Sequence, residues 1–170
     1  MVDFEVVDLP ETDHVAVGEQ APDFERPLVN DEFWEDVALS DLTAEGPVLL
    51  VFHPMDGAFP ATYVWSEIRD REWTSAFDAQ IVGCSISSPY EHKDLIADSG
   101  IDASLFSDPA ADVAETYGVE NDLDGMAGIT EHRPAVYLLD EERVVQYAWV
   151  AEQWPDFPPY DEVEDALGGL

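Results

Sequence analysis

The chain has one cysteine, one lysine and no long apolar run. Each shortage excludes something. A single thiol, Cys84, cannot close a disulfide within the chain, and it leaves neither a CxxC pair nor a zinc cluster. Thiol chemistry must use Cys84 alone or a second molecule. No stretch approaches the ~20 apolar residues of a membrane span. The opening "MVDFEVVDLPETDHVAVG" is acidic and lacks the basic start of a secretion signal. No signal and no anchor are expected, and the expected location is cytoplasmic.

Bases are scarce as a class: six Lys and Arg stand against 39 Asp and Glu, for a net charge of -33. The acids recur through the chain, among them Asp31, Glu35, Asp112 and Asp161, so this is a surface-wide bias and not a tail. Such a surface repels nucleic acid and anionic membranes, which excludes both as partners. In dilute buffer it also repels itself. At ~1 M salt the screening length falls to about 3 Å and that repulsion fades. The composition reads as that of a protein from a salt-accumulating halophile, which speaks to habitat and not to chemistry.

Hydrophobic residues make up 46% of the 170 positions, enough for one domain with a sizeable core. Residues 1–16 read as a loose acidic lead-in, and 17–170 as a single domain. "PVLLVFH", Pro47 to His53, is a continuous apolar run of strand length, expected to be buried on both faces. "VALSDL" is expected to start a helix at a Ser40 cap. Residues 61–77 suit a helix, with Pro60 where a helix start tolerates proline. "QIVGCSIS" is a second buried strand, "YEHKDLIADSG" a helix stopped by Gly100, "SLFSD" a short strand, and "PAADVAETYG" a further helix. "PAVYLLDEERVVQYAWV" reads as a hairpin, and "YDEVEDAL" as a closing helix. Strands alternating with helices, then a hairpin, give the expected class: α/β, a thioredoxin-like fold with a mixed central sheet and helices on both faces.

Six segments, in order, carry a resemblance. "VGEQAPDFE" is like G-x-x-A-P-D-F, "VALSDL" like V-x-L-S-D-L, and "LLVFHP" like a strand ending in F-x-P. "IVGCSISSPYEHKDL" is similar to V-x-G-I-S-x-D with its following turn and helix. "LFSDPAADVAETYGV" is like L-x-S-D-x-x-x-x-V-A-x-x-Y-G-V, and "HRPAVYLLDEERVV" like R-x-x-F-x-I-D-x-x-G-x-V. Together they resemble the peroxiredoxin family, the alkyl hydroperoxide reductase and thiol-specific antioxidant group. That resemblance implies a peroxide-reducing cysteine in the first turn of a helix, its thiolate favoured by the helix N-terminus and an arginine. It also implies a threonine three residues earlier and a shielding proline. Laid onto this chain, the proline is Pro54 and the arginine Arg133. The threonine position holds Ala58 and the cysteine position Ala61, while Val64 replaces an acidic residue. Nothing between Met1 and Gly83 is a cysteine, so a shifted alignment does not restore the nucleophile.

The remaining candidates divide. Cys84 is either a relocated redox thiol or a small apolar residue packed in a strand. His53, Asp56 and Arg133 are expected to line the residual pocket, where Arg133 meets an anion or a carboxylate of the protein. His53, Asp56 and His132 offer metal-type donors, but their spacing makes no local motif, and neighbours in an extended chain point opposite ways. No metal and no cofactor are therefore expected. Phe59, Tyr63, Trp65 and Trp73 are either core or a homodimer face. Two functions compete: a peroxiredoxin-like protein without cysteine-peroxidase activity, binding a small molecule or a protein in the residual pocket, or a thiol-dependent oxidoreductase that uses Cys84.

Overall fold

A computed structural model describes residues 6–122 and 126–170. The chain opens with β1 (Val7–Asp8), then the pair β2 (Glu25–Val29) and β3 (Trp34–Ala38), then the short α1 (Leu39–Thr43). β4 (Val48–Phe52) leads to α2 (Phe59–Asp70) and α3 (Trp73–Ala76). β5 (Gln80–Ser85), α4 (Pro89–Ser99), β6 (Ser104–Ser107) and α5 (Asp112–Tyr117) follow. Two-residue strands β7 (Glu120–Asn121) and β8 (Glu131–His132) precede the hairpin β9 (Ala135–Leu139) and β10 (Val145–Val150). β11 (Gln153–Trp154) and α6 (Tyr160–Gly168) close the chain.

The main sheet runs β10-β9-β4-β5-β6-β2-β3. Its centre, β4-β5-β6, is parallel, and the flanking pairs are antiparallel. All five residues of β4 are buried, as a strand covered on both faces requires. Alternation sorts the core into two layers. Leu49, Val51, Ile81 and Leu105 pack on α2, α3, α4 and α6 through Trp65, Trp73, Ile96 and Val163. Leu50, Phe52, Val82 and Cys84 face the other way, onto α1 and α5 through Leu39, Val113 and Tyr117. This is the thioredoxin-like α/β class. Trp65 and Trp73 are at most 1% exposed, so they belong to the core and not to a dimer face.

Three local expectations are corrected. The helix expected over 61–77 breaks at Glu72, which takes a left-handed φ of 57° and separates α2 from α3. "VALSDL" begins as the end of a strand, and α1 is capped at Ala38, with Ser40 inside the helix. Beyond residues 1–5, which lie outside the described residues, the lead-in is tied down. β1 pairs antiparallel with β11, matching Val7 with Trp154. The Leu9 N–H donates to the Glu152 carbonyl at 2.9 Å, and Thr12 Oγ1 donates to the Gly118 carbonyl at 2.7 Å. The Val15 carbonyl accepts from the Tyr137 hydroxyl at 3.0 Å. Gly118 admits this strap: a Cβ there would stand 2.8 Å from the His14 Cα, and its φ of 73° ends α5.

Candidate functional site

The carboxyl ends of parallel strands are where open α/β sheets gather functional groups. Here His53 follows β4, Ser85 ends β5, and Phe106 and Ser107 end β6. The loop after β4 carries Asp56 and returns into α2. That helix starts at the N-cap Ala58, which has no side chain to cap it, and has Pro60 in its first turn. The Ala61 and Thr62 N–H groups donate to the Ala58 carbonyl. Ala61 is fully buried in that first turn.

Asp56 organises the loop. Its Oδ1 accepts from His53 Nε2 at 2.7 Å, and its Oδ2 from His92 Nδ1 at 2.7 Å. Its own N–H donates to Ser87 Oγ at 2.9 Å. The Asp56 side chain is 7% exposed; the His53 and His92 side chains are 1% and 0%. Asp56 forms the floor of a cavity of about 450 Å³ between α2 and α4, whose walls include Thr62, Ser66, Arg69, Glu91 and Asp98.

Hydrogen-bond partners fix the protons. Trp65 Nε1–H donates to His53 Nδ1 at 3.1 Å, so that nitrogen accepts and the hydrogen of neutral His53 sits on Nε2, facing Asp56. His92 faces an acceptor on each side, Asp56 Oδ2 and the Phe106 carbonyl at 2.9 Å. Asp56 thus bridges two buried imidazoles, one from the loop after β4 and one from α4. Burial pushes the Asp56 carboxyl up, but the bonds from His53 and His92 outweigh it and hold the group well below its ordinary value. Burial pushes His53 below the usual imidazole value, and the Asp56 contacts oppose only part of that.

The donor atoms of His53, Asp56 and His92 lie within 4.8 Å of one another, close enough to raise the question of a metal. His92 would suit one, since its Nε2–H already meets a carbonyl, as ligating histidines usually arrange. His53 does not. Ligating through Nε2 would move its hydrogen to Nδ1, directly against the Trp65 N–H. Trp65 cannot withdraw: it is fully buried, and its ring lies where a Cβ on Gly83 would come within 2.5 Å of Cζ2. These residues fit protons and not a metal ion.

The other expected residues lie elsewhere. His132 does not join His53 and Asp56; its Nε2 meets Asp108 Oδ2 at 2.9 Å, both side chains fully buried. Asp108 also accepts from the N–H of Val113 and from Arg26 Nε at 3.3 Å. Arg133 reaches the N-terminal strap instead, where its Nη1 donates to the Pro10 carbonyl at 2.9 Å and the Ala151 carbonyl at 3.4 Å. Cys84 is fully buried on the α1 and α5 face of the sheet, away from α2. Burial pushes its thiol well up, and the charge of Asp108 acts in the same direction. His92 is the site residue that the sequence reading passed over. Its signal was the spacing His92, Leu95, Ile96, which puts a histidine on the apolar face of α4.

This fold and this loop are those of a peroxiredoxin-type domain, and comparison with known proteins makes the assignment. The AhpC/TSA family model matches residues 17–148, and the chain belongs to that family. It is 32% identical over 149 residues to a Synechocystis sp. protein carried under the name peroxiredoxin sll0755, covering 82% of this chain and 70% of that one. A chloroplastic 2-cysteine peroxiredoxin of Chattonella marina var. antiqua is 26% identical over 144 residues, covering 80% and 71%. Among solved structures, reduced 2-Cys peroxiredoxin of Plasmodium vivax shares the fold with a TM-score of 0.75 at 23% identity, covering 90% of this chain and 94% of that one. Peroxidoxin BcpB of Mycobacterium tuberculosis superposes with a TM-score of 0.74 at 25% identity, covering 91% and 96%.

Proposed function

We propose that this chain is a peroxiredoxin-family protein that has lost cysteine-peroxidase chemistry and acts by binding. The observation that carries the reading is the first turn of α2. Ala58 stands at its N-cap, Pro60 and Ala61 follow, and the one thiol of the chain is sealed on the opposite face of the sheet. A methyl group cannot attack an O–O bond, and a buried thiol with a raised pKa supplies no thiolate. Pro54 keeps the frame of the loop, while His53 and Asp56 are engaged with His92. The exposed Tyr63 beside Phe157 supports a homodimer contact on the outer side of α2. The charge of -33 supports a protein that works in concentrated salt inside a halophile.

The test is hydrogen peroxide consumption in molar KCl with excess dithiol. The expected rate equals the reductant blank, and Cys84 reacts with a thiol reagent only after unfolding. Turnover above the blank that disappears in Cys84→Ala would establish the competing reading, a thiol-dependent oxidoreductase.

A further inference from the structure

Among the described residues Arg133 is the one buried arginine or lysine, with 4% exposure. It has no carboxylate within ion-pair distance among them, in a chain with 39 acids. The exposed Arg69 and the half-buried Arg71, by contrast, are paired. Burying a guanidinium without a counter-charge is costly, and two carbonyls do not neutralise it. Both of its hydrogen bonds use Nη1. Nε is sealed from solvent without a partner, whereas Nη2 is neither bonded nor sealed. Burial pushes the guanidinium down, with only the more distant Glu120 opposing.

Beside Arg133 lies a cavity of about 590 Å³, within the usual size range of small-molecule sites. Its wall is partly apolar, from Leu9, Pro10, Val150 and Ala151, and partly polar, from Thr12 and His14. His14 turns Nδ1 to the Val15 carbonyl at 2.8 Å, which leaves Nε2 for another partner. Apart from Arg133, every residue of this wall lies outside the 17–148 match to the family model. The cavity is built by the N-terminal strap, the end of β10 and the two residues after it.

We propose that this cavity binds a small organic monocarboxylate, its carboxylate on Arg133 Nη2 and its short apolar body against Leu9 and Val150. The inference rests on the binding role proposed above and names the class of ligand. One fixed positive charge balances one negative charge. Asp8, Glu11 and Glu152, also in the wall, and the overall field of the protein repel a dianion about twice as strongly as a monoanion, so a single negative charge is the one Arg133 can hold. An uncharged ligand leaves Arg133 uncompensated.

Isothermal titration of the full chain with isovalerate tests this, with isovaleramide, phosphate and chloride as comparison ligands. One-to-one binding of isovalerate is expected, with isovaleramide and phosphate at least tenfold weaker. Arg133→Gln should weaken isovalerate at least tenfold. Because that variant removes bonds to two carbonyls, Leu9→Trp serves as the second: it fills the cavity, leaves the charge, and should also weaken binding at least tenfold. No binding by the wild type, phosphate binding as tightly as isovalerate, an adventitious ion site that prefers chloride, or full affinity in Leu9→Trp would each overturn the proposal. Peroxide turnover is measured separately, so failure here leaves the reading of Ala61 intact, and turnover by Cys84 would not remove a site at Arg133.

Discussion

Replacing Asp56 with alanine should cost about 4 kcal/mol of stability. The carboxylate accepts two hydrogen bonds of 2.7 Å from buried imidazoles, and bonds to a charged group contribute about 1.5–3 kcal/mol each. Its removal also leaves the ring nitrogens of His53 and His92 that face it buried without a partner, a loss of about 1–3 kcal/mol each. These are two descriptions of one loss, so they are not added. Urea unfolding at constant molar KCl is the assay, because urea leaves the ionic strength unchanged. With a slope of about 2 kcal/mol per molar urea, the midpoint should fall by about 2 M. Nitrogen chemical shifts of the rings provide the second readout. In the wild type near pH 7.5, His53 should show its proton on Nε2 alone. A midpoint that moves by less than about 0.5 M, or a His53 with its proton on Nδ1, would refute the assignment of the cluster.

Two further outcomes follow from the same region. Gly83→Ala would put a Cβ 2.4 Å from Leu105 Cδ2 and 2.5 Å from Trp65 Cζ2, and both neighbours are fully buried; about 3 kcal/mol of destabilisation and a shifted indole fluorescence are expected, and an unchanged melting curve would show that the layer can yield. Burial also depresses both His53 and His132 below their unfolded value of about 6.5. A depressed folded pKa means that below pH ~6.5 the unfolded chain binds more protons, so stability is full above that pH and is lost as pH falls. Asp56 adds a loss in the same direction below pH ~4. The urea midpoint in molar KCl should therefore drop between pH 7.5 and pH 5, and a flat profile would contradict neutral, buried histidines.

The layered fold was legible because its signals are local. The apolar run at Val48–Phe52, the glycine stop at Gly100 and the hairpin around Asp140 each state their structure within a few residues. The strap was not legible, since Val7 and Asp8 acquire a role only through partners at the far end of the chain. At the site, His53 and Asp56 were found from the loop that carries them, but their third member comes from another helix. Arg133 shows a subtler limit. In R-x-x-F-x-I-D the aspartate stands about six residues after the arginine, whereas Asp140 stands seven after Arg133. Along an extended chain one residue reverses the side-chain direction. The guanidinium accordingly turns to Pro10 and Ala151, and not to His53 and Asp56.

The pairing of β1 with β11 also sets an order of assembly. Val7 and Trp154 lie far apart in the sequence, so their ladder cannot form until the chain has been made as far as Trp154. The central strands β4, β5 and β6 have no such delay, because each finds its neighbour within a short stretch of chain. Between those events the Arg133 side chain lacks the Pro10 carbonyl, and the wall beside it has not been built. The central strands therefore precede the cavity in time, and any ligand held there reports that the strap and the end of β10 have met.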